Sequence, residues 1–142
     1  MTQIVLVPDT ELLVIVESNA VGPAGPQGVK GDNSVADIAF AFQGALLDGE
    51  NLVGYVIAHA MTLSQADSIA KCVVAPNADV SMTLTKNGAS MGTVTFLSGH
   101  TTGTVTLTST SLVIGDVIAF IGPSPSNPTF SSITITLAGS LP

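Results

Sequence analysis

The chain has 142 residues, 46% of them hydrophobic and only 9% charged, so it is long enough for one domain and too apolar to be a disordered tail. Ten acidic residues face three lysines (Lys30, Lys71 and Lys86) and no arginine, for a formal charge of −7. Without clustered cations there is no phosphate-binding surface, which argues against a nucleic-acid partner; the negative charge favours solubility.

The first segment, residues 1–21, carries two β-branched runs, IVLV at 4–7 and LLVIV at 12–16, separated by Pro8-Asp9-Thr10-Glu11. Neither run alternates apolar with polar residues, so each asks for burial on both faces. The reading is a β arm that must lie against something else, since an isolated hairpin is marginal in water. A short buried helix over 11–17 is the alternative, disfavoured by the β-branched content. The start has no basic region ahead of an apolar stretch, and Pro8, Asp9 and Glu11 interrupt it, which predicts a chain without a signal peptide. No apolar run approaches the roughly 20 residues of a membrane-spanning helix, so no membrane partner is expected.

In the second segment, residues 22–33, glycine recurs at every third position: Gly22, Gly25, Gly28 and Gly31. Pro23 and Pro26 follow two of them. Only glycine fits at the axis of three packed polyproline II strands, so the period predicts a collagen-like connector that aligns three chains. At about 3.1 Å per residue such a connector spans roughly 37 Å, too short to hold itself together. Flanking domains must bring the chains together, which makes a homotrimer the expected assembly.

The third segment, residues 34–142, reads as strands and turns. Val80-Ser81-Met82-Thr83-Leu84-Thr85 alternates cleanly, and Asn87-Gly88 after it is the pair favoured in a two-residue hairpin turn. GTVTF at 92–96 returns as GTVTL at 103–107. Further strands are expected at 38–42, 53–59, 68–74, 116–121 and 132–137, and the proline-rich stretch 122–128 is a loop. About eight short strands spaced near ten residues apart predict an antiparallel β-sandwich of jelly-roll type. Its core should hold Val80, Met82, Leu84, Val94, Phe96, Val105, Leu107, Ile118, Phe120, Ile133, Ile135 and Leu137. Thr83, Thr93, Thr95, Thr104, Thr106, Thr134 and Thr136 should face water or a polar neighbour. The fold class is therefore all-β: an N-terminal arm, a Gly-x-y connector and a C-terminal sandwich.

Chemistry-bearing motifs are sparse. Cys72, the single cysteine, sits in an apolar strand and reads as a buried thiol. His100, Ser98 and Asp79 could be assembled into a triad on paper, but no nucleophile-elbow motif supports it. Asp48 and Glu50 around Gly49, or Asp32 with Asp37, could at most make a weak calcium turn; solvated carboxylates are the simpler reading. Tyr55 alone is a poor platform for sugars. No enzyme, metal or cofactor is expected.

Taken with these segments, six stretches resemble tailed-bacteriophage virion proteins: GYVIA from Gly54, APNADV from Ala75, TKNG from Thr85, GTVTF from Gly92, GDVI from Gly115 and ITLAG from Ile135. They mark hairpin turns, an apolar comb and a terminal strand, and carry no catalytic assignment. Collagen-plus-sandwich trimers of the complement and tumour-necrosis type share the plan, but they carry signal peptides and longer repeats, which are missing here. The resemblance implies a structural protein of the virion's outer surface, assembled in the host cytoplasm. The short connector favours a capsid decoration protein or short head fibre over a receptor-binding tail fibre. On that reading Ile4, Val5, Leu6, Val7, Leu12, Leu13, Val14, Ile15 and Val16 anchor the protein to the major capsid protein or another virion protein. Gly22, Gly25, Gly28 and Gly31 align the trimer.

Overall fold

Period-two alternation puts the apolar positions of each strand on one face, and the sheet curls to bury that face. The computed structural model describes residues 2–6, 13–17, 34–52 and 54–142, and the chain divides into two compact units, Met1–Gly31 and Asp32–Pro142. The first unit contains strands β1 (Thr2–Leu6) and β2 (Leu13–Glu17), paired antiparallel. The second contains β3 (Ile38–Ala45), β4 (Tyr55–Val56), β5 (Met61–Val74), β6 (Val80–Lys86), β7 (Ala89–Phe96), β8 (Thr102–Leu107), β9 (Ser111–Leu112), β10 (Val117–Ile121) and β11 (Ser131–Ser140). Among the described residues there is no helix, and every strand pairing is antiparallel.

The nine strands of the second unit form one hydrogen-bonded sheet in the order β3-β11-β5-β8-β7-β6-β10-β4, with β9 beside β5. Phe40 and Phe42 on β3, at one end of that order, meet Phe120 on β10, next to the other end. The ring centroids lie 5.0 and 5.8 Å apart in edge-on geometry, which requires the sheet to curl into a half-barrel over its core. Every residue expected in the core is buried except Leu107, which is half-buried and packs against the cluster. None of the outward threonines is buried.

Two elements differ from expectation. The stretch 54–59 supplies only a two-residue strand, because the Ile57 N–H donates to the Asp116 carbonyl and the Ile57 carbonyl accepts from Gly115, fixing the chain to a turn instead of a ladder. Strand β5 begins at Met61, earlier than the expected Ser68, since Thr62 to Ser64 pair with the far end of β11 beyond a register shift. The polar sequence TLSQADS hides that strand.

The Asn87-Gly88 turn is as read: Lys86 pairs with Ala89, and both turn residues have positive φ, 52° and 83°. This is the two-residue turn whose twist matches the flanking strands. The GTVTF/GTVTL repeat also finds a reason. Strands β7 and β8 run antiparallel with Gly92 opposite Leu107 and Phe96 opposite Gly103. A Cβ on Gly103 would stand 2.8 Å from the Phe96 ring, and one on Gly92 would strike the Thr106 carbonyl. Each glycine leaves room where the other copy places its largest residue, so the repeat is complementary to itself in reverse.

Candidate interaction surfaces

The arm brings the expected anchoring positions together in a ladder. Ile4 lies opposite Ile15, Val5 opposite Val14 and Leu6 opposite Leu13, while Val16 faces Gln3. Successive pairs belong to alternate faces of a hairpin, so apolar positions occur on both. Val7 and Leu12 lie outside the described residues, as do Gly22, Gly25, Gly28 and Gly31.

The polar residues that could have formed a site serve the fold. Asp79 accepts a hydrogen bond from the Ser98 backbone N–H at 2.8 Å, and the His100 N–H donates to the Leu97 carbonyl; no side-chain hydrogen bond joins His100 to either partner of the paper triad. Glu50 accepts from the Leu47 N–H at 3.1 Å, closing the turn that Asp48 shares. Among the described residues, no group of three or more His, Cys, Asp or Glu side chains stands close enough to hold a metal. Cys72 is buried on β5, where burial pushes its thiol above the ordinary range, and its Sγ faces the His100 carbonyl at 3.8 Å.

Two patches that expose large hydrophobic side chains stand out on the second unit. The first is the outer face of β3, β11 and β5, where cross-strand rows run Ala39–Thr136–Ile69 and Ala41–Thr134–Lys71. On β5 the usual sizes are inverted: small Ala70 and Cys72 point inward, while Ile69 and Val73 are 57% and 75% exposed. Strand β3 is the last in its sheet on this side, and no described residue pairs with its outer edge.

The second patch is built around β4 and β10. Val56 pairs with Val117, and the adjoining turn displays Val113 and Ile114, the latter 70% exposed. Apolar residues at a turn tip are unusual, since turns favour Gly, Asn, Asp and Ser. A small apolar notch of about 130 Å³, lined by Ile38, Tyr55, Ile57 and Met61, opens beside it.

Asp116 holds that turn in place. Its Oδ1 accepts from Asn87 Nδ2 at 2.7 Å and its Oδ2 from the Val113 N–H at 2.9 Å, while the Asn87 Oδ1 accepts from the Val117 N–H. The hairpin turn of β6–β7 is thereby clamped to the turn carrying Val113 and Ile114. The Val113 N–H, then Asn87, with a smaller contribution from the Lys86 charge, hold the Asp116 carboxyl below its usual range against opposing desolvation. A depressed pKa in the fold adds stability that is complete above the unfolded value of about 3.9 and is lost as pH falls through the folded one. The Asp116→Asn variant should therefore show a lower urea midpoint than wild type at neutral pH. The gap should narrow once the pH drops below about 4, as the wild-type carboxyl protonates. A gap that stays constant down to the acid end would contradict the clamp.

Sequence reading missed both patches, because exposed Ile69, Val73 and Val113 sit in runs (IAKCVV, SLVIG) that look like buried strand. The readable signals were the alternation of Ile69, Lys71 and Val73 across one face, and an apolar pair directly before the turn residues Gly115-Asp116. Comparison with protein-family models, curated proteins and solved structures finds no match for this chain.

Proposed function

We propose that this chain is a structural protein of a bacteriophage virion: a homotrimeric capsid decoration protein or short head fibre. Its arm attaches to the major capsid protein or another virion protein, and its β unit, as a jelly-roll-like sandwich, faces outward from the particle. The observation that carries this reading is the order of segments in the sequence. An apolar hairpin is followed at once by four Gly-x-y triplets and then by a weakly charged all-β unit. The collagen-like period supports three-chain alignment, since that packing explains why glycine recurs at every third place.

Attachment then follows from burial. Each valine, leucine or isoleucine taken out of water contributes about 1.5–3 kcal/mol. Three arms held together act at an effective concentration near the millimolar range, so contacts that are weak singly become firm jointly. Deleting residues 1–21 should leave a folded β unit that no longer co-sediments with particles. Retained capsid binding by the truncated chain would overturn the anchoring role, and saturable binding to host cells would point to a receptor-binding fibre instead.

A further inference from the structure

We propose that copies of this chain join head-to-tail, the β3–β11–β5 face of one copy packing on the Val56–Val117 edge and Val113–Ile114 turn of the next. This rests on the trimer reading above and adds which surfaces meet. A closed three-fold ring cannot use one self-complementary patch, as a two-fold dimer does; each copy must present two different patches that fit one another. The described β unit presents two. Of its eleven exposed large hydrophobic residues, Ile69 and Val73 fall on the first patch, and Tyr55, Val56, Val113, Ile114 and Val117 in the second.

Charge points the same way. Each copy carries −7, so copies approach most easily where carboxylates are missing. The middle rows of the first patch, away from Asp37 and Asp67 at its Ala138–Ser140 end, contain none, and their single charge is Lys71. In the second patch Asp116 is buried in its clamp, and Asp37 stands only at the adjoining notch. The outer edge of β3 also lacks what keeps exposed edges apart: the strand IAFAFQGA has no lysine and no proline.

Area decides how the contact works. Three strands at about 4.8 Å spacing and five residues at about 3.4 Å cover roughly 250 Å². A free-standing interface needs about 800 Å² from each partner. The contact is thus too small to assemble free β units at micromolar concentration, which leaves the N-terminal arms to bring the chains together, and a contact of about millimolar strength then closes between the tethered copies. Six residues lie between Gly31 and Ile38, and the seven Cα steps they make reach at most about 25 Å, which bounds how far each β3 can start from the aligned glycines.

The test uses full-length chains in a Cys72→Ala background, one bearing Val73→Cys and the other Ile114→Cys. They are produced together and treated with a short bis-maleimide. The expected product joins unlike chains, Val73→Cys to Ile114→Cys, with like pairs absent. A chain that runs as a trimer but gives no unlike product, or only like pairs, overturns this inference and leaves the trimer reading standing. A chain that runs as a monomer overturns both. As a check independent of cross-linking, Ile114→Asp should weaken trimer association at least tenfold while leaving the urea midpoint of the β unit unchanged. Unaltered association in that variant would overturn the assignment as well.

Discussion

Phe120→Ala is expected to destabilise the β unit by about 3–5 kcal/mol, the largest single-residue effect in the fold. Phe120 is fully buried on β10, with Phe40 and Phe42 from β3 against it. These rings come from strands far apart in the hydrogen-bonded order, and nothing in the ladder itself brings them together. Deleting the ring removes buried apolar surface, two edge-on contacts and the packing that holds the curl. Small domains have only about 5–15 kcal/mol in total, so the variant should be close to unfolding at physiological temperature. Urea unfolding monitored by far-ultraviolet circular dichroism reads the effect. A loss under about 1 kcal/mol would mean that the curl does not depend on this ring.

Gly103→Val should be nearly as damaging, for the opposite reason. The position is tight because the Phe96 ring occupies the space a Cβ would take, with three ring atoms between 2.8 and 2.9 Å away. Phe96 is fully buried and packs against Phe130 with centroids 4.9 Å apart and the rings tilted by 55°, so it has nowhere to retreat. Overpacking of this kind costs about 1–3 kcal/mol, and a β-branched residue should sit at or beyond the upper end. The decisive variant is the pair. Phe96→Leu alone destabilises by opening a cavity, yet combined with Gly103→Ala it should cost less than the two single changes added together. A favourable coupling of about 0.5–3 kcal/mol is expected from a double-mutant cycle in urea. Strict additivity would show that the glycine is not there to admit the ring.

That pair also shows how much of the fold can be read from the sequence. The repeat GTVTF/GTVTL was visible, and so was the alternation of Val94, Phe96, Val105 and the ITITL stretch, because a sheet buried on one face imprints period two. The reason for the glycines was not visible, since it depends on Gly103 lying opposite Phe96, and register is a long-range property. Phe130 was missed for a related reason. It follows the proline loop 122–128 and belongs to no strand, yet it is fully buried. The Asn127 side chain organises that approach, accepting from the Thr129 N–H and donating to Asn77 Oδ1. The surface was harder still. Composition shows that few charges exist to cover the unit but cannot say which strands are left bare. Ile69 and Val73 look like core residues until β11 fixes which side of β5 faces inward.

The role proposed for this protein depends on its association. Sedimentation equilibrium of the full-length chain at micromolar concentration addresses it directly, with the chain lacking residues 1–33 run alongside. The expected masses are three times the 14.3 kDa chain for the full-length protein and a single copy for the truncated one. A full-length protein that sediments at 14.3 kDa over the whole concentration range would contradict the aligned trimer, and with it the role given to the recurring glycines.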